Sequence, residues 1–311
     1  MVSGEDENQY PRTALYIATD RGYLDVMKLL LGHPLIDVNK GEETAIDVLE
    51  IIWVSSPLWI ASKNGFDEGV KLLLNHPQID VNKGNGFDWN ALSSPLSIAS
   101  ENGHTAIAEM LLKHPDIDVN SSDGLDDDEQ EVPIITASRG GHKRIVELLL
   151  SHPEVDVNFM SRGETALIAA TKAGYSDIVE LLLGQPQINV NQRLQPQINF
   201  NPRLQSWNYN GTTALYVASE TGQADIVQML IGHPKIDLDI GYPNWQRKTP
   251  LTIASENGHL EVVKLLLDKP HFDVYNSSRV APALHIASEM GHSDVVKLIV
   301  EHHPQGANST S

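Results

Sequence analysis

TALYIATDRGYLDVMKLLLGHPLIDVN (Thr13 to Asn39) and SPLSIASENGHTAIAEMLLKHPDIDVN (Ser94 to Asn120) are one phrase written twice in the same chain. The phrase occurs eight times. Its equivalent first positions are Thr13, Ser56, Ser94, Val132, Thr165, Thr213, Thr249 and Pro282, so successive copies lie 43, 38, 38, 33, 48, 36 and 33 residues apart. The floor of 33 belongs to the phrase itself, and the excess is insertion. A period of this size marks a chain built by stacking one supersecondary element, and it overrides the two globular domains that 311 residues would otherwise suggest.

Each copy decodes into two short helices and a loop. A Ser or Thr beside Pro or Ala opens most copies, the grammar of an N-cap and a first helical turn. A glycine follows at a fixed offset in every copy (Gly22, Gly65, Gly103, Gly141, Gly174, Gly222, Gly258 and Gly291), which predicts a left-handed residue just past the first helix. Three residues later six of the eight copies carry Asp or Glu, suited to the positive end of a second helix. That helix holds the apolar run Leu29-Leu30-Leu31 and its equivalents, and a His-Pro is expected to stop it. The closing Ile-Asp-Val-Asn reads as extended and leads into a hairpin-like loop. So short a helix pair cannot bury its apolar face alone; stacked neighbours can, and the expected product is an all-α solenoid.

These residues resemble the ankyrin-repeat family. Its Thr-Pro-Leu-His-x-Ala motif stands here as Thr249-Pro250-Leu251-Thr252-Ile253-Ala254, and in looser form in the other copies. The family histidine survives only as His285. Tyr16, Trp59, Ser97, Ile135, Ile168, Tyr216 and Thr252 replace it, a departure that bears on interloop hydrogen bonding and not on the fold. The resemblance covers about Thr13 to Pro304 and implies a single domain, residues 1–311, with an acidic N-terminal segment (1–12) and a C-terminal tail (305–311). It also implies a protein-binding scaffold with no catalysis of its own.

Composition narrows the function classes further. With no cysteine there is neither a disulfide nor a thiolate nucleophile or ligand. Lys and Arg total 22 against 41 Asp and Glu, a formal charge of −19, so phosphate backbones and anionic lipid are repelled. Neither nucleic acid nor a membrane is an expected partner. The opening MVSGEDENQY is unlike a secretory signal, and no apolar run nears the roughly 18 residues of a membrane helix. A soluble, monomeric protein of the cytoplasm or nucleus is expected. There is no HExxH, P-loop, GxSxG or strand-borne GxGxxG, and no cofactor is expected. Of thirteen histidines, only His271 and His303 fall outside periodic positions, so no metal site is expected. Residues 121–131 are rich in Asp and Glu, but their order is not that of a calcium loop, and a solvated tip is expected.

Candidate binding residues fall in two sets. Between each closing Asn (or its equivalent) and the next copy lie 16, 11, 11, 6, 21, 9 and 6 residues, and variable loops on a rigid scaffold are where binding usually resides. Trp53, Trp89, Trp207, Tyr209 and Trp245 sit in them, either as partner anchors or as a packed ridge. The longest contains QPQINVNQRL (Gln185 to Leu194) followed by its near copy QPQINFNPRL (Gln195 to Leu204), a tolerated insertion. The second set lies just before the repeat glycines, at helix ends that face the groove in ankyrin-like proteins: Lys63, Glu101, Arg139, Lys172, Glu220, Glu256 and Glu289. Its cations belong to the first five copies, while Glu220, Glu256 and Glu289 form an acidic row suited to a basic segment of a partner, or else a merely solvated row. Two further readings concern other roles. Asn39, Asn82, Asn120 and Asn158, each with Leu eight positions earlier, resemble targets of an asparaginyl hydroxylase, or else they satisfy loop hydrogen bonds. Val295 to Val300 keeps an inner-copy apolar run where a terminal cap turns polar, so either the tail covers that edge or the chain is a regulatory module of a larger assembly.

Overall fold

The computed structural model describes residues 12–46, 51–87, 90–120, 132–161, 163–194, 212–241, 248–269 and 277–302. The chain divides into two compact bodies, Met1–Arg162 and Gly163–Ser311. In chain order the first body holds α1 (Ala14–Asp20), α2 (Leu24–Leu31), β1 (Glu42–Ile46), β2 (Ile51–Ser55), α3 (Pro57–Lys63) and α4 (Asp67–Leu74). It continues with β3 (Asn85–Phe87), β4 (Asn90–Ser93), α5 (Pro95–Glu101), α6 (Thr105–Leu112), α7 (Pro133–Gly140) and α8 (Lys143–Leu150). The second holds α9 (Ala166–Ala173), α10 (Ser176–Leu183), α11 (Ala214–Thr221), α12 (Ala224–Gly232), α13 (Pro250–Glu256), α14 (Leu260–Leu267), α15 (Ser277–Glu289) and α16 (Ser293–His302).

Within each body the helix pairs stack in sequence order. In the first, α1, α3, α5 and α7 form one row and α2, α4, α6 and α8 another; the second repeats this with α9, α11, α13 and α15 beside α10, α12, α14 and α16. This is the expected ankyrin solenoid of stacked helix pairs. The core is the seam between pairs: Leu15, Leu58, Leu96 and Ile134 from the first helices, with Met27, Ile107, Leu111, Ile145 and Leu149 from the second, are fully buried. Each such side chain contributes about 1.5–3 kcal/mol on leaving water.

The local signals act as the phrase implies. Thr13, Ser56 and Ser94 accept the backbone N–H three residues on, and so do Thr165, Thr213 and Thr249. The same hydroxyls close the loops, since Thr13 Oγ1 donates to the Lys40 carbonyl at 2.8 Å and Ser56 Oγ to that of Lys83 at 2.5 Å. Val132 offers no such cap, and its helix instead begins with Pro133. At the stop signal, His33 Nδ1 accepts the Leu35 N–H at 3.3 Å, and His76, His114, His152 and His233 repeat that contact in their own turns.

The loops supply the second inter-copy link. In the closing tetrapeptide Val and Asn form a turn instead of continuing extended, because Asp37 Oδ1 accepts the Asn39 N–H at 3.0 Å. The asparagine amide then bridges forward: Asn39 Nδ2 donates to the Gln78 carbonyl at 2.7 Å while its Oδ1 accepts the Asp80 N–H at 2.8 Å. Asn82, Asn120 and Asn191 make the same paired bonds to the copy that follows.

Two features depart from the simplest expectation. The first two long loops extend into a four-stranded antiparallel sheet, order β1-β2-β3-β4, with Glu42 opposite Ser55 and Ser55 opposite Asn85. And α15 starts at Ser277, five residues before the expected Pro282, which lies inside the helix. There the proline removes a single i→i−4 bond, the one that would reach Ser278, and the helix runs on past it.

All eight repeat glycines have positive φ, between 68° and 80°. At Gly103 a second constraint is added, for a β-carbon there would lie 2.6 Å from the His142 ring of the next copy, whereas at Gly22 nothing comes within 4 Å. Gly22→Ala should therefore cost only the left-handed backbone penalty, about 1–2 kcal/mol. Gly103→Ala should cost about 1 kcal/mol more, because His142 must move off the Glu101 carbonyl, which its Nε2 bonds at 2.9 Å. Urea denaturation followed by circular dichroism compares them, and equal midpoints would mean that the histidine contact carries no energy.

Candidate functional site

The second sequence set gathers at the C-terminal ends of the first helices. In the first body Lys63 and Glu101 close α3 and α5, and Arg139 is next to last in α7. In the second body Lys172 and Glu220 are next to last in α9 and α11, while Glu256 and Glu289 close α13 and α15.

Their backbones are held by a ladder that periodicity had left without a role. The histidine after a repeat glycine donates Nε2–H to the carbonyl of the candidate residue one copy earlier: His104 to Lys63 at 3.1 Å, His142 to Glu101 at 2.9 Å, His259 to Glu220 at 2.9 Å and His292 to Glu256 at 2.8 Å. A carbonyl can only accept, so these rings carry their proton on Nε2. Asn257 Nδ2 adds a second bond to the Glu220 carbonyl at 2.9 Å. The recurring Gly-His pair was the sequence signal for these positioning residues.

The side chains differ from copy to copy. Lys63 lies over the ring of Trp59, one turn earlier on α3, with Nζ 5.0 Å from the centroid. Trp59 itself is buried at the family's histidine position, in a core cluster with Tyr16, Ile60 and Ile98. Glu101 and Arg139 are exposed. Lys172 pairs with Glu164 at 2.8 Å.

The acidic row is not uniform. Glu256 is bound by Lys248 at 2.5 Å. Glu289 is exposed and lies 3.3 Å from His285 Nε2. Glu220 is half-buried, and its Oε2 is shielded from solvent with no hydrogen-bond partner. Burial pushes its carboxyl above the usual range; Lys248 opposes that shift and Glu256 adds to it. One carboxylate is thus paired, one is solvated, and one is half-buried with an oxygen that has no hydrogen-bond partner.

The other sequence candidates are placed as follows. Trp53 lies on β2, opposite Thr44 of β1 and Phe87 of β3. Trp89, Trp207, Tyr209 and Trp245 lie outside the described residues, as do residues 121–131. Asn39, Asn82 and Asn120 each commit both amide atoms to the inter-copy bridge, and Asn158 donates its backbone N–H to Asp156 Oδ1 at 2.9 Å. Among the described residues no three His, Asp or Glu converge to hold a metal ion, and no helix is long and apolar enough to cross a membrane.

The sequence pattern described as ankyrin repeats (3 copies) matches residues 1–85, 35–123, 123–193, 192–278 and 238–311, the whole length of the chain. Among solved structures the chain is similar to EF0377, an ankyrin repeat protein, with 26% identity and a TM-score of 0.54, over 68% of this chain and 96% of that one. It is also similar to the human ASB11 ankyrin repeat domain, with 22% identity and a TM-score of 0.55, over 82% and 97%; at that identity the likeness concerns fold alone. No curated protein matches.

Glu220 makes a signed pH prediction. A carboxyl whose pKa is raised on folding binds its proton more tightly in the folded state, so stability falls as pH rises from the unfolded value through the raised one. Glu220→Gln removes that loss. The variant should melt higher than wild type at neutral pH, with the advantage gone below the ordinary glutamate pKa of about 4.3. Thermal melts at the two pH values measure this, and an advantage that persists in acid would show that burial of the charge is not its source.

Proposed function

Because the chain belongs to the ankyrin-repeat family, whose repeats are in general protein-interaction modules, we propose that it is a non-enzymatic protein-binding scaffold whose second body receives a basic segment of a partner. The observation behind this reading is the unpaired, solvent-shielded Oε2 of Glu220. A buried acceptor without a donor costs about 1–3 kcal/mol, more when it is charged, and an ammonium or guanidinium brought alongside the half-buried carboxylate would offset part of that cost. The same cation would draw the Glu220 carboxyl back toward its ordinary range. Lys248 stays on Glu256, while exposed Glu289 adds attraction that acts mainly on the association rate.

Specificity would come from the residues that differ between copies on a common backbone. In the first body these are Lys63, Glu101 and Arg139, to which Trp53 and Trp89 would add loop anchors of the kind that dominate binding energy, as Trp207, Tyr209 and Trp245 would in the second body. Lys172, tied to Glu164, marks the cationic start of the second body's set.

The full chain can be titrated with synthetic Lys/Arg-rich peptides and with neutral and acidic peptides of equal length, read by fluorescence anisotropy. Basic peptides should bind, and more weakly as salt rises. Glu220→Lys combined with Glu289→Lys should weaken them at least tenfold, while circular dichroism verifies the fold. Equal binding of the acidic peptides, or unchanged affinity in the double variant, would overturn the assignment.

A further inference from the structure

The residue eight positions before each helix-end residue follows a rule of sign. In four copies it is charged, and always oppositely: Arg12 with Asp20, Glu131 with Arg139, Glu164 with Lys172 and Lys248 with Glu256. In the other four it is neutral: Ser55, Ser93, Thr212 and Ala281, which precede Lys63, Glu101, Glu220 and Glu289. In all but the last copy this position directly precedes the N-cap of the first helix. The end of each loop therefore either brings a counter-charge to its own helix or withholds one.

The second body contains both cases. Glu164 Oε1 meets Lys172 Nζ at 2.8 Å, and Lys248 Nζ meets Glu256 Oε2 at 2.5 Å, the same two positions with the signs exchanged. Exchange of sign at fixed positions means that neutralising the helix end matters more than the packing of one particular side chain. In the first copy the rule is looser, for Arg12 bonds Glu42 at 2.8 Å while Asp20 only adds attraction. Glu131 lies outside the described residues. Where the preceding residue is the uncharged, fully buried Thr212, Glu220 Oε2 has no hydrogen-bond partner. Glu289, after Ala281, is exposed. Along copies six, seven and eight the carboxylates are open, closed and open.

We propose that Lys248 is an internal stand-in for a partner's cation, closing Glu256 so that the groove selects a basic segment whose two cations reach Glu220 and Glu289. This rests on the reading of the helix ends as a site for a basic segment, and it adds the spacing that such a segment must have. The three carboxylates hold equivalent places on α11, α13 and α15, which pack in that order. Packed helices lie about 8–10 Å apart, so the two open positions are about 16–20 Å apart. An extended chain advances about 3.3 Å per residue, so the matching lysines or arginines stand about five or six positions apart. A cation midway between them would meet Lys248 and be repelled.

Fluorescence anisotropy on the full chain tests this with otherwise neutral peptides carrying two lysines three, six or nine positions apart. Wild type should prefer the six-position peptide by at least fivefold. Lys248→Thr installs the residue that copy six has at this place, and should leave circular dichroism unchanged. With Glu256 open, it should bind the three-position peptide at least tenfold tighter than wild type does, level with the six-position one. Lys264→Thr, at an exposed position of α14, removes the same charge elsewhere and should keep the wild-type preference. A wild type that binds no basic peptide overturns the reading of the site, and this one with it. Equal binding of all three spacings by wild type, or the same behaviour of Lys248→Thr and Lys264→Thr, overturns selection by Lys248 alone.

Discussion

The joint between consecutive copies is what everything else in this protein depends on. Two kinds of force meet there. Burying side chains such as Ile107, Leu111 and Leu149 supplies most of the free energy, but it has no direction and would tolerate a sliding contact. The asparagine bridge is weaker, about 0.5–1.5 kcal/mol net per bond, and highly directional. Asn82 donates to the Asp116 carbonyl and accepts from the Asp118 N–H, two groups on the same turn of the next copy. Only one registration satisfies both, so the apolar seam holds the copies together and the amide sets where they stop.

The same division explains what the sequence reveals. Caps, glycine positions and apolar runs are decided within a few residues, so Thr13, Gly103 and the run around Leu149 announce helix starts, turns and buried faces in the bare sequence. Helix-end chemistry is decided between elements. Lys248 reaches Glu256 from the end of a variable loop, and no period predicts which loop will deliver a cation. Glu220 and Glu256 hold equivalent positions in the phrase, yet one ends paired and the other desolvated. Periodicity identified the histidines after the repeat glycines as structural, but it could not name the carbonyls they bond.

A backbone fixed this firmly leaves recognition to side chains. His259 and His292 pin the main chain at Glu220 and Glu256 to within one hydrogen-bond length, so the two carboxylates start from equivalent backbone positions. Preordering of that kind lowers the entropy lost on binding. It also allows one position to be poorly satisfied without local collapse, because the seam offsets the cost. The unpaired Glu220 oxygen is such a position, and places where a local rule is broken on an otherwise consistent scaffold are where function is expected.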